Sequence, residues 1–89
     1  MLNPTDPARN NEAHLRRAHE IAGTPSLNVF LQHLENGEFK HAAEALSKYG
    51  DERGNLSREF WLALWYVYDN LGLNDDATRC QFRMTEAKH

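Results

Sequence analysis

The sequence is short of cysteine, of net charge and of long apolar runs. Cys80 is the single cysteine among 89 residues, which excludes an intramolecular disulfide and is typical of a reducing compartment. The formal charge of -3 gives the chain no net attraction to phosphate backbones. The longest apolar stretch, residues 60–68, is less than half of the about 20 residues that a membrane-spanning helix needs. Because the N-terminus also lacks a basic segment followed by an apolar run, we expect no secretory signal, no membrane partner and a cytoplasmic location.

Catalytic and metal-binding patterns are missing as well. No two of the five histidines stand at i, i+3 or i, i+4, the spacing at which a helix presents a pair of metal ligands. The adjacent Asp75 and Asp76 are better explained as favourable charges at a helix N-terminus than as an acid/base pair. There is no glycine-rich phosphate loop, no Gly-x-Ser-x-Gly elbow and no EF-hand loop. We therefore expect a protein that is not an enzyme and that needs no metal or cofactor.

The most informative stretch is residues 60–71, which hold both tryptophans and five of the nine aromatic residues. As a helix, this stretch has one apolar stripe formed by Trp61, Leu64, Trp65, Tyr68 and Leu71. Most of its remaining surface is also apolar and carries Phe60, Leu62, Tyr66 and Val67. A helix that is apolar nearly all round must lie at the centre of its domain, or have a second surface covered by something else.

Glycine and proline divide the chain into about five antiparallel helices in a single all-α domain, residues 1–89. An N-terminal helix ends by residue 22, a first hairpin spans 23–49 and a second spans 55–87. The predicted start signals are Asp6-Pro7 for the first helix, Thr24-Pro25 for the second, Asn55 or Ser57 for the fourth, and Asn74 or Asp75 for the fifth. The predicted stops are Gly23, Asn36-Gly37, Gly50 and Gly72. No sustained alternation of apolar and polar residues indicates a strand.

An internal period of 35 residues places Gly72 over Gly37 and Ala77 over Ala42. Residues 58–84 carry a large, large, aromatic, glycine, small pattern at Trp61, Leu64, Tyr68, Gly72 and Ala77. This pattern resembles the tetratricopeptide repeat, a helix–turn–helix unit of about 34 residues. The first unit, residues 23–49, matches in its turn and second helix through Gly37, Phe39 and Ala42. The resemblance implies helical hairpins that present a surface to another protein.

A narrower resemblance covers about residues 27–80. It is carried by Gly37-Glu-Phe39, Ala45-Leu46, Trp61-Leu-Ala-Leu64 and Leu71-Gly-Leu73. This set is similar to the tetratricopeptide-type chaperones that hold type III secretion needle subunits in the bacterial cytoplasm. The resemblance implies a concave helical surface that masks the apolar C-terminal helix of a needle protein, often together with a second small co-chaperone.

The surplus apolar surface of the aromatic helix predicts the site of partner binding. Exposed apolar patches mark interfaces, and tyrosine and tryptophan dominate binding hot spots. The predicted partner-binding residues are Phe60, Leu62, Tyr66 and Val67, together with Phe30 on the second helix. An ordinary small helical bundle explains the same aromatic residues as core.

Two other functions stay open. One is a small transcriptional regulator, which would bind DNA through Arg9, Arg16 and Arg17 or hold a transcription factor; a solvated helix face explains these arginines better, so nucleic acid is an unlikely partner. The other is a homodimeric helical bundle protein whose surplus aromatic surface is its own dimer interface. Whether residues 1–22 pack on the domain is also open.

Overall fold

The computed structural model describes residues 10–23 and 28–87, and in these ranges α-helices joined by short turns are present without a strand. The described residues form five helices: α1 (Asn11–Ala22), α2 (Asn28–Glu35), α3 (Phe39–Arg53), α4 (Arg58–Asn70) and α5 (Asn74–Glu86). The predicted all-α class is therefore confirmed.

Helix α4, the aromatic stretch, lies at the centre of the domain. Helices α1, α3 and α5 all pack against it. Phe60, Leu64, Val67 and Tyr68 are fully buried, and Trp61 retains 4% of its exposure. Three neighbouring helices thus cover most of a helix that is apolar nearly all round, which is the central position that its composition indicates.

Consecutive helices form two hairpins, α2 with α3 and α4 with α5, and the two turns have the same backbone geometry. Each turn contains a glycine in the left-handed region, with φ of 73° at Gly37 and 75° at Gly72. The paired bonds are Gly37 N to Leu34 O (3.1 Å) and Glu38 N to His33 O (2.8 Å) in the first turn, and Gly72 N to Asp69 O (3.0 Å) and Leu73 N to Tyr68 O (2.9 Å) in the second. Both turns are Schellman motifs. The 35-residue period therefore corresponds to two equivalent helix endings.

The side chains that flank the two turns differ in chemistry. A Schellman motif usually brings two apolar side chains together, one before and one after the glycine. The second turn has Tyr68 and Leu73 at these positions, one buried and one half-buried. The first turn has His33 and Glu38, whose Nδ1 and Oε1 atoms lie 3.2 Å apart. The hydrogen bond with His33 lowers the pKa of the Glu38 carboxyl. The first hairpin thus uses an exposed polar pair where the second uses apolar groups.

Helix α1 packs on the rest of the domain, which answers the open question for residues 10–22, while residues 1–9 lie outside the described residues. Leu15 and Ala18 are fully buried against the core. The His19 ring stacks on Phe30 of α2, with centroids 4.9 Å apart and planes at 13°. At the other end of α1, Asn70 of α4 donates a hydrogen bond from Nδ2 to Oδ1 of Asn11, at 3.0 Å. Helix α1 therefore joins the two hairpins.

Two helix starts differ from the predicted ones. Helix α1 begins at Asn11, because the Asn10 side chain accepts a hydrogen bond from Ala13 N and caps the helix. The predicted signals Asp6-Pro7 and Thr24-Pro25 lie outside the described residues. Helix α5 has Leu73 at its N-cap position, so the prediction of Asn74 or Asp75 is wrong. Ser57 precedes α4 as predicted, although its side chain makes no capping bond.

The predicted end of α3 at Gly50 is also wrong. Helix α3 continues to Arg53 and ends at Gly54, whose φ is 77°. Gly50 lies inside the helix and is buried. A Cβ atom placed on it would lie 2.7 Å from Cε2 of Phe60 and 2.8 Å from Cζ2 of Trp61. The two aromatic rings of α4 therefore occupy the space that a side chain at position 50 would need.

We expect Gly50→Ala to destabilise the fold. In an open helix this change adds about 1 kcal/mol of stability through helix propensity. At Gly50 the new methyl group would overlap the rings of Phe60 and Trp61, and overpacking of a core costs about 1–3 kcal/mol. After the gain in helix propensity is subtracted, the net loss is up to about 2 kcal/mol. The midpoint of a thermal melt followed by circular dichroism should therefore fall by several degrees, since each kcal/mol corresponds to about 4–8 °C in a domain of this size. An increase in the midpoint would contradict the close packing of α3 on α4.

Candidate partner-binding surface

The five residues predicted to bind a partner fall into two groups. Phe30, Phe60 and Val67 are fully buried in the chain itself. Leu62 is 36% exposed and Tyr66 is half-buried. The three buried residues can contact a partner only if the helices around them separate. Their part in binding stays a prediction, while Leu62 and Tyr66 are accessible without a rearrangement.

Leu62 and Tyr66 line a groove between α1 and α4. The groove, called the α1–α4 groove below, is lined by His14, Arg17, Glu59, Leu62, Ala63 and Tyr66. Its floor is apolar and comes from α4, while charged side chains stand at its edge. An apolar floor with a polar rim is the usual arrangement of a protein-binding surface.

The Tyr66 ring is held in place from two sides. The His14 ring stacks on it with centroids 4.7 Å apart and planes at 11°. The Trp65 ring meets it edge-on, with centroids 5.3 Å apart. Ordering a free side chain on binding costs about 0.5–1.5 kcal/mol, and a ring already fixed in the free protein avoids much of this cost. Tyr66 is therefore preorganised for contact with another molecule.

An ion pair forms one edge of the groove. Arg17 of α1 donates a hydrogen bond from Nη2 to Oε2 of Glu59 on α4, at 3.0 Å. Both side chains are more than half exposed, so the pair contributes at most about 1 kcal/mol to stability. Arg16 is paired with Glu12 at 3.3 Å. Two members of the predicted basic cluster thus have carboxylate neighbours, and the third, Arg9, lies outside the described residues.

Two residues of the predicted apolar stripe lie differently from what the helical pattern indicated, and a third apolar residue is exposed on α5. Trp65 is half-buried and lies beside Leu62 on the outer side of α4, although the pattern placed it on the inner stripe. Leu71 is 38% exposed because α4 has ended and the chain is already turning. Phe82 on α5 is 66% exposed. The residues that share its face of the helix, such as Arg79 and Glu86, are polar and were the available sign of an outward position.

Metal-ligand groups and the single thiol were the remaining candidates for chemistry in the described residues. Among them, no group of three or more histidine, cysteine, aspartate or glutamate side chains is placed to hold a metal ion. Cys80 is fully buried, and burial raises the pKa of its thiol to about 12. A thiol with such a pKa is almost entirely protonated near neutral pH and is a poor nucleophile.

Comparisons with known proteins found no match: no family model matches the chain, and neither does any curated protein or solved structure. Within residues 10–23 and 28–87, no helix is both long and apolar enough to cross a membrane. The function is therefore inferred from the chain's own surface.

We expect Cys80 to resist thiol reagents in the folded protein. A free thiol has a pKa of about 8.5, so at pH 8 an exposed cysteine reacts readily with a chromogenic disulfide reagent. Native Cys80 should react only as fast as the chain unfolds, and the same chain in guanidinium chloride should react at once. Because folding raises the pKa, stability should also fall as the pH increases above about 8.5. Fast labelling of the native protein would contradict the burial of this thiol.

Proposed function

We propose that this chain is a helical-hairpin interaction module of tetratricopeptide type, which holds an amphipathic helix of a partner protein. The observation that carries the proposal is the α1–α4 groove, where an exposed leucine and a fixed tyrosine lie side by side between polar edges. An amphipathic helix presents apolar residues at i, i+3, i+4 and i+7, and it binds by placing them in such a groove.

The sharper form of the proposal names the partner. Through the resemblance carried by residues 27–80, the partner is the apolar C-terminal helix of a type III secretion needle subunit, and the module is its cytoplasmic chaperone in a bacterium. Helix α4 supports this form, because part of the resemblance lies on it and the same helix supplies Leu62 and Tyr66. A chaperone of this kind needs no catalytic group, and its binding surface must be accessible in the free protein.

Tyr66 is the expected centre of the binding energy. Hot spots are enriched in tyrosine and are surrounded by contacts that exclude water. Leu62 lies next to it on α4, and Ala63 completes the apolar floor without projecting into the groove. The Arg17–Glu59 pair at the edge would fix the position of the bound helix along the groove. It would add little affinity, since exposed ion pairs contribute little.

The proposal predicts that Leu62→Asp and Tyr66→Ala weaken partner binding without unfolding the chain. A hot-spot residue contributes about 2 kcal/mol or more, so each change should raise the dissociation constant at least tenfold. The probe is a fluorescent peptide with the sequence of a needle subunit's C-terminal helix, and binding is followed by fluorescence anisotropy. Circular dichroism establishes that each variant remains helical.

Phe82→Asp is the matched control. It also introduces an aspartate at an exposed apolar residue, but on the outer side of α5. Its affinity for the peptide should stay within about twofold of the unchanged chain. Equal losses for Leu62→Asp and Phe82→Asp would contradict the groove as the binding site. If the unchanged chain does not bind the peptide, the needle-subunit form of the proposal is wrong.

A further inference from the structure

The outer side of α4 carries a regular row of four side chains. Arg58, Leu62, Trp65 and Asp69 are separated by four, three and four residues, which is the spacing of the seam of a coiled coil. Leu62 and Trp65, in the middle, are partly exposed, and both ends are exposed. We call this row the α4 seam. Gly50 of α3 packs against Phe60 and Trp61, which are not members of the seam, and the Arg58 end of the seam lies beside Gln81 and Thr85 of α5.

The two charged residues of the seam have no partner within the described chain. Each of the other described arginines makes an ion pair or a side-chain hydrogen bond: Arg16, Arg17, Arg53, Arg79 and Arg83. Arg58 makes neither, and the Asp69 carboxylate makes neither. The chain therefore satisfies its arginines with nearby groups everywhere in the described part except at the seam.

Both charges are also placed unfavourably with respect to the dipole of α4. Arg58 is the first residue of α4 and Asp69 lies in its last turn. The helix dipole favours negative charge at the N-terminus and positive charge at the C-terminus. Each charge is thus mildly unfavourable in the isolated chain, and a neighbour of opposite sign would remove this disadvantage.

We propose that a second copy of this chain covers the α4 seam, with the two α4 helices antiparallel. In that arrangement Arg58 of each copy meets Asp69 of the other, and Leu62 of each meets Trp65 of the other. The α4 seam can therefore pair with an identical seam that runs in the opposite direction. Such self-complementarity is what a two-fold dimer interface requires, because every contact occurs twice.

The charges select this orientation and this occupant. A parallel pair would set Arg58 against Arg58 and Asp69 against Asp69, and like charges across an interface are repulsive. In the antiparallel pair, each Arg58 also lies near the negative end of the other α4 helix. The proposal goes beyond the binding of a partner helix, because it is carried by Arg58 and Asp69, which do not line the α1–α4 groove. Since Leu62 belongs to both surfaces, the dimer and the partner helix would compete.

The test is a charge swap, measured on the full chain by sedimentation equilibrium at several concentrations. Arg58→Asp and Asp69→Arg should each raise the dimer dissociation constant about tenfold or more, because each puts like charges together twice. The double variant with both changes restores opposite charges and should return to within about threefold of the unchanged chain. Increasing salt should weaken the unchanged dimer.

Lys40→Asp is the control, since Lys40 is an exposed cation of α3 that forms no ion pair with another described residue. Its replacement changes the net charge by the same amount as Arg58→Asp. It should leave the dissociation constant unchanged. A monomer at every concentration, single variants that dimerise normally, or a double variant that stays dissociated would each overturn the proposal. The charge swap leaves Tyr66 and Leu62 intact, so each variant should still bind the needle-subunit peptide. Failure of the dimer and failure of the proposed function are therefore distinguished by two separate measurements.

Discussion

The close contact between α3 and α4 at Gly50 is the constraint on which the rest of the fold depends. The rings of Phe60 and Trp61 occupy the space of the missing side chain, so α3 approaches the back of α4 at this point. With α3 on one side, α1 and α5 can pack on the two flanks. The fourth side of α4 is left outward, and it carries both the α1–α4 groove and the α4 seam. The packing of one glycine thus determines which part of the aromatic helix reaches solvent.

Much of the fold follows from short-range signals in the sequence. Gly23, Gly37 and Gly72 were predicted to end helices, and each has a positive φ there. Composition left two positions open for the aromatic stretch, at the centre of the domain or with a second surface covered by another molecule, and the structure shows the central one. Gly50 was misassigned because a glycine that ends a helix and a glycine that admits a neighbouring ring look the same in a sequence. The distinction depends on what lies across from the residue.

The surface was harder to predict than the core. The helical pattern identified which residues of α4 are apolar, but not how many helices cover them, so Phe60 and Val67 were assigned to the binding surface together with Leu62 and Tyr66. The structure buries Phe60 and Val67 fully, and Phe30 is buried with the His19 ring of α1 stacked on it. Helix α1 has only a modest apolar side, formed by Leu15 and Ala18, and the stacking of its histidine rings adds contacts that a pattern of apolar residues does not show.

The two tryptophans occupy different environments, and this gives the protein an internal optical probe. Trp61 is 4% exposed against Gly50, while Trp65 is half-buried beside Tyr66 on the outer side of α4. An indole shielded from water emits at shorter wavelength than one in contact with it, so the intrinsic fluorescence combines two components. The blue component reports the seating of α4 on α3, and the red component reports whatever covers the outer side. One emission spectrum can therefore separate unfolding from the occupation of that surface.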